Sequence, residues 1–145
     1  MNQSKTLALE ELKPLIIEWA KAKDLIKYEN HTKQWLKLVE ECGELASAIL
    51  KDDREKQIDA IGDIFVVLTI LAAQMGIEFY WGSYSVAPDI NWAIRNIITI
   101  PNEFCSELSG IAKMQGLDLT ECANHAWNQI KDCTGQTING TFIKD

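Results

Sequence analysis

Four carboxylates in this chain are spaced to act together on a cation. In Leu38-Val39-Glu40-Glu41-Cys42-Gly43-Glu44-Leu45, Glu41 and Glu44 are three residues apart and Glu40 and Glu44 four apart. On a helix, both spacings put side chains on one face. Ile58-Asp59-Ala60-Ile61-Gly62-Asp63-Ile64 repeats the pattern with Asp59 and Asp63. Like charges at these spacings repel unless something positive lies between them. Each acidic stretch also contains a glycine, Gly43 or Gly62, which lowers helix propensity and leaves room for another helix or a ligand. Asp63 opens a strongly apolar run, so its carboxylate is expected at the edge of the core rather than free in water.

The two acidic pairs meet only if the elements carrying them lie side by side. Trp35, Leu38, Cys42, Leu45 and Ile49 recur at three or four residues, predicting a helix from Lys33 to about Lys51 with Thr32 as its N-cap. Asp52 or Asp53 caps the next helix. Its apolar face runs through Ile58, Ile61, Ile64, Phe65, Leu68 and Leu71 to Gly76. So short a connection predicts an antiparallel hairpin. Glu44 and Asp59 then lie at similar distances from the turn, as do Glu41 and Asp63. Hard oxygen ligands in this number suit Mg²⁺ or Mn²⁺, with waters and substrate phosphates completing the shell. The alternative is two solvated faces and helix-cap acids.

The remaining segments also read as helical. A first helix is predicted over about Thr6 to Lys27, with Pro14 marking a late start or a kink. Ile77 to Pro88, containing Tyr80, Trp81 and Tyr84, breaks the pattern as an irregular aromatic segment. Short helices follow over Ile90 to Ile98 and from Pro101 to Gly116. A last one opens at Asp118 or Thr120, and a polar tail from Gly135 has Phe142 and Ile143 as anchors. The predicted fold is one all-α domain over residues 1–145: a helical bundle built around an antiparallel acidic hairpin.

Composition narrows the function classes. The 145 residues carry a formal net charge of -7, with 47% hydrophobic and 24% charged residues. This balance argues against coating a nucleic acid polymer or an anionic membrane. It permits a small polyphosphate bridged by a cation. Cys42, Cys105, Cys122 and Cys133 show no C-x-x-C spacing and read as reduced thiols rather than a disulfide framework or zinc site. Met1 to Lys5 lacks an apolar signal region, and Ile64 to Met75 reads as a buried helix too short to span a bilayer. A cytoplasmic protein is expected. His31 and His125 have no ligand-spaced partner and are expected in capping or packing positions.

Lys37-Leu38-Val39-Glu40-Glu41-Cys42-Gly43-Glu44-Leu45-Ala46 resembles the first acidic motif of the MazG-like nucleoside triphosphate pyrophosphohydrolases, and Asp59-Ala60-Ile61-Gly62-Asp63 their second. The resemblance is clearest from about Gln34 to Gly76. Ala126 to Lys144 is similar to the tail of phage-type members of that family. More distant relatives include the phosphoribosyl-ATP pyrophosphatases. The second motif departs from the family's E-x-x-D: Ala60 occupies the glutamate position, and Asp59 stands one residue earlier.

The resemblance implies Mg²⁺-dependent hydrolysis of a nucleoside triphosphate between the α and β phosphates, giving a monophosphate and pyrophosphate; Mn²⁺ is a substitute. It implies metal ligation by Glu41, Glu44, Asp59 and Asp63, with the general base drawn from Glu40, Glu41 and Glu44. Lys37 and Lys131 are candidates for the phosphate tail, ahead of Lys33 and Arg54. Gln34 is a candidate contact to base or phosphate. Asn128 with Lys131 fits the family's N-x-x-K spacing. Two other readings stay open. Ala60 favours a catalytically silent helical module for oligomerisation or protein binding, and the motifs alone do not exclude another phosphoanhydride, such as a phosphoribosyl nucleotide. The broad apolar surfaces of the central helices predict a homodimer, or a tetramer given a second surface.

Overall fold

The helical segments begin and end where local chemistry directs them. The computed structural model describes residues 5–77, 89–90, 94 and 101–145, and for 101–106 the backbone alone. Helix α1 spans Leu9–Ala22, shorter at both ends than the periodicity suggests. Its N-terminus is closed by Glu11, whose Oε2 accepts from the Ala8 N–H at 2.8 Å. Pro14 is carried inside the helix. Asp24 has φ 59° and turns the chain away.

A short 3₁₀ turn, Tyr28–Asn30, runs directly into α2, His31–Leu50. The predicted start at Lys33 is therefore late, and Thr32 lies within the first turn rather than capping it. Asn30 occupies the cap position without a side-chain capping bond. Its amide instead donates to the Leu25 carbonyl at 3.1 Å and ties the turn to the preceding loop. After the Lys51–Asp53 connection, α3 spans Arg54–Met75. Asp53 caps it, accepting from the Lys56 N–H at 3.2 Å, and Gly76 ends it in the left-handed conformation at φ 66°. Helix α4 covers Pro101–Met114 and α5 Leu119–Ile130, the latter capped by Asp118. The aromatic connection expected over 78–88, including Trp81, and most of the helix expected over 90–98 lie outside the described residues.

Helix α3 is the centre of the bundle. Its side chains from Ile64 through Ala72 are all buried, and α1, α2, α4 and α5 all pack against it. Each fully buried Ile, Leu or Phe contributes about 1.5–3 kcal/mol relative to exposure. At 22 residues α3 is long and apolar enough to cross a membrane, longer than the stretch from Ile64 suggests, yet 72% of its most apolar window is buried inside the bundle.

The tail is not a loose polar segment. Strands β1, Gly135–Ile138, and β2, Thr141–Lys144, form an antiparallel hairpin with Ile138 opposite Thr141. The two-residue loop is Asn139-Gly140, at φ 50° and 80°. Both residues lie in the left-handed region that a type I′ turn requires. Thr137 Oγ1 donates to the Lys23 carbonyl at 2.7 Å and docks the hairpin beside the end of α1.

The two glycines of the acidic helices have opposite surroundings. A Cβ on Gly62 would stand 2.2 Å from the Cys122 carbonyl oxygen, so α3 and α5 cross at backbone contact there. A Cβ on Gly43 would meet nothing within 4 Å. Gly62→Ala should therefore cost about 1–3 kcal/mol through overpacking. Gly43→Ala should raise the stability of the dilute single chain by up to about 1 kcal/mol through helix propensity. Urea denaturation of both variants checks this, and a Gly62→Ala protein as stable as wild type would refute the close crossing.

Candidate active site

The hairpin turn at Lys51–Asp53 sets the register of the acids. Glu41 and Asp63 line one cleft, while Glu44 and Asp59 line a separate depression nearer the turn, with Lys51 and Lys56. The pairing expected from distance to the turn is thus present, divided between two neighbouring hollows. Among the described residues, no three His, Cys, Asp or Glu side chains converge as a ready cation-binding group.

The first cleft has a volume of about 230 Å³. Glu41 is 4% exposed and contributes its charge from α2. Its Oε1 receives the Lys37 ammonium at 2.9 Å, and Lys37 also meets Glu40 Oε2 at 2.9 Å. Glu41 Oε2 is buried with no hydrogen-bond partner among the described residues. Such an atom carries an uncompensated desolvation cost unless a cation or donor reaches it. Burial lifts the Glu41 carboxyl above its ordinary value; the Lys37 hydrogen bond and charge pull the other way, and Glu44 and Glu40 add to the rise. Burial, followed by the charges of Glu41 and Asp59, pushes Asp63 up to about 7. Desolvation alone would lower Lys37, but its bonds to Glu41 and Glu40 hold it well above the ordinary lysine value. Carboxylates from two facing helices therefore share this cleft.

The other candidates have distinct placements. Gln34 is buried at the cleft, and its Nε2 donates to the Val67 carbonyl at 3.2 Å, bracing α2 against α3. Lys33 and Lys37 line the cleft, and so does Lys144 from β2, which the sequence motifs do not single out. Asn128 and Lys131 are exposed and are not among the cleft's lining residues. Arg54 is used structurally: its Nη1 and Nη2 donate to the Gln115 and Gly116 carbonyls, both at 2.8 Å, closing the end of α4. Glu40 and Glu44 are exposed.

His125 departs from its expected isolation. Its Nε2 lies 3.3 Å from Asp59 Oδ1, across the α3–α5 contact. His31 stacks on Tyr28 with ring centroids 4.4 Å apart. Cys42 and Cys122 are buried free thiols, pushed up by burial to about 12 and about 11, and are poor nucleophiles.

Trp19 and Phe142 also belong to the cleft; the sequence reading gives Phe142 as an anchor of the tail and neither as a site residue. Their rings meet edge to face with centroids 5.0 Å apart. The Trp19 Nε1 is buried with no acceptor among the described residues. The available signal for Phe142 was Ile138-Asn139-Gly140-Thr141, since Asn-Gly between apolar or β-branched residues is a strong hairpin pattern.

Comparison with known proteins bears on this site. Residues 10–81 match the family model described as phosphoribosyl-ATP pyrophosphohydrolase. The match covers just under half of the chain, including α1, the acidic hairpin and the cleft's carboxylates. It supports the all-α nucleoside triphosphate pyrophosphatase-like fold for this segment without singling out the MazG-like branch. An uncharacterized 18.2 kDa protein in the rep-hol intergenic region of Haemophilus phage HP1 (strain HP1c1) is 41% identical over 70 residues. That alignment covers 48% of this chain and 43% of the phage protein, so the chain spans less than half of its relative's length. No solved structure matches.

The raised carboxyls have a thermodynamic consequence. Between the ordinary aspartate value of 3.8 and about 7, the folded protein binds protons at Asp63 that the unfolded chain has released. This contribution is present at low pH and lost as pH rises through that window. In EDTA, Asp63→Asn should therefore gain stability relative to wild type between pH 4.5 and 7.5. Urea midpoints at both pH values test this; a difference that stays constant or reverses would contradict the buried-carboxyl assignment.

Proposed function

We propose that the cleft hydrolyses the phosphoanhydride of a nucleotide, releasing a nucleoside monophosphate moiety and pyrophosphate. The observation that carries this reading is the pairing of Glu41 and Asp63, from antiparallel helices, in a cleft that also presents Lys33, Lys37 and Lys144. Acids suited to a divalent ion and ammonium groups suited to phosphate oxygens thus share one surface. The matched family's printed description favours a phosphoribosyl nucleotide as substrate. The resemblance of the acidic motifs to MazG-like enzymes supports a nucleoside triphosphate as the second choice.

Glu41 and Asp63, which share the cleft, would hold the cation, with Glu44 and Asp59 adding negative charge from the neighbouring hollow. When bound, Mg²⁺ supplies charge neutralisation for the phosphate oxygens. Lys37 is positioned to exchange part of its contact with Glu40 and Glu41 for a phosphate oxygen. Lys33 and Lys144 add positive charge from the cleft walls. Glu44, exposed and one helical turn from Glu41, would take a proton from attacking water, whereas Glu40 is engaged by Lys37. Gln34 holds α2 against α3 and keeps Glu41 level with Asp63.

Incubating the chain with Mg²⁺ and a panel of nucleoside triphosphates and phosphoribosyl nucleotides should yield pyrophosphate. Glu41→Gln should lower turnover at least about 100-fold while leaving the circular dichroism spectrum unchanged. Release of orthophosphate or a nucleoside diphosphate instead would refute α–β cleavage. No turnover on any substrate would favour the silent-module reading.

We also propose that the chain forms a homodimer through α2. Leu36, Val39 and Leu50 are exposed and lie with Gly43 and Ala46 along one stripe of that helix at alternating three- and four-residue spacing. One self-complementary surface suffices for a closed pair. Sedimentation equilibrium should give twice the 16.4 kDa chain mass at micromolar concentration, and Leu36→Asp should shift it toward monomer. A wild-type monomer throughout a hundredfold concentration range would eliminate the interface.

A further inference from the structure

We propose that strand β2 straps the cleft with two lysines, Lys33 at its start and Lys144 at its end, and that together they select a linked pyrophosphoryl group over a single phosphate. This rests on the phosphoanhydride reading above and names the part of the substrate that the C-terminal hairpin recognises.

The hairpin presents one face to the bundle. Thr137 and Phe142 are direct cross-strand partners and share a face; Gly135 and Lys144, the pair two residues further on, share it too. The bond from Thr137 to the Lys23 carbonyl and the contact of Phe142 with the Trp19 ring turn that face inward. Lys144 is thereby directed to the cleft, while Ile138 and Ile143 on the opposite face stay half exposed. At the other end of β2, a Cβ on Gly140 would stand 3.1 Å from Lys33 Cγ and 3.2 Å from Asn30 Oδ1, so the turn rests against the stem of Lys33. The Asp145 N–H donates to the Thr134 carbonyl at 3.1 Å and fixes the far end of the strand just beyond α5. Strand β2 therefore lines the cleft from the start of α2 to the end of α5, where Ile130 joins the lining.

The lysines of the cleft differ in what they already hold. Lys37 is committed to Glu40 and Glu41. Elsewhere Lys13, Lys21, Lys27 and Lys56 each pair with an acid three residues away. Lys33 and Lys144 form no ion pair among the described residues, and both are exposed. Their charges are thus available to a ligand at the one surface they share. Gly140 and Lys144 are four residues apart, about 13 Å along an extended strand. Each ammonium is a compact charge on a flexible four-carbon stem, so both can reach inward from opposite ends of the strand. A single phosphate can meet both only by drawing two like charges onto the same oxygens. Two linked phosphates give each lysine its own oxygens, and that difference is the source of the selectivity.

The test is calorimetric titration of the full chain with pyrophosphate and with orthophosphate, each in the presence of Mg²⁺. Wild type should bind pyrophosphate at least about ten times more tightly than orthophosphate. Lys144→Gln and Lys33→Gln should each weaken pyrophosphate about tenfold and change orthophosphate by less than about threefold. Lys144→Arg, which keeps the charge, should stay within about threefold of wild type. Lys113→Gln removes an exposed charge near the end of α4, outside the cleft lining, and should bind like wild type. All these side chains are exposed, so the variants should keep the wild-type urea midpoint. Equal affinity for the two anions, no binding of pyrophosphate, glutamine variants of Lys33 and Lys144 that bind like wild type, or an equal loss with Lys113→Gln would overturn the assignment. Pyrophosphate binding that depends on Lys144, without turnover on the nucleotide panel, would remove the hydrolytic reading and leave this one standing. Turnover whose KM is unchanged by Lys33→Gln and Lys144→Gln would do the reverse.

Discussion

Helix α3 is too apolar to leave any long face in water, and that constraint organises the molecule. Its residues from Ile64 to Ala72 are buried on every side, and four helices gather round it. Helix α2 must fold back along it because the Lys51–Asp53 connection is short. Helix α5 crosses it at Gly62, where the absence of a side chain lets the Cys122 carbonyl approach. The acids lie where this apolar cylinder ends. Asp63 begins the buried run, and Asp59 lies one turn closer to the hairpin connection.

That position gives the carboxylates their chemistry and their cost. Glu41 is almost fully enclosed, yet among the described residues only one of its oxygens has a partner. Asp63 faces both burial and the Glu41 charge, and Lys37 compensates part of this strain by bonding to Glu40 and Glu41 together. Removing any one of these charges leaves another less well balanced. Local stability is thus lowered where this cleft is cut into an otherwise well-packed core.

The matched region and the structural site overlap but do not coincide. The family match ends at residue 81 and contains the acidic hairpin. The cleft extends beyond it to Ile130 and the C-terminal hairpin, which contributes Phe142 and Lys144. The carboxylates Glu41 and Asp63 lie within the shared segment, whereas Lys144 does not. Part of the apolar half is built from a region outside that match.

The sequence by itself determined the central hairpin, because periodicity, capping aspartates and Gly76 all act over a few residues. It also determined which acids pair across α2 and α3, since a tight turn leaves one register. Tertiary structure alone decided that those pairs line two hollows, because their separation depends on the packing and side-chain directions of both helices. It placed Arg54 on the end of α4 instead of in the cleft, through contacts with residues some sixty positions away. It left Asn128 and Lys131 exposed, although their spacing fits a motif. Trp19 became a cleft residue only when the C-terminal hairpin docked beside it. Its turn was written locally in Asn139-Gly140, but its docking depends on Thr137 and Phe142 meeting the far end of the chain.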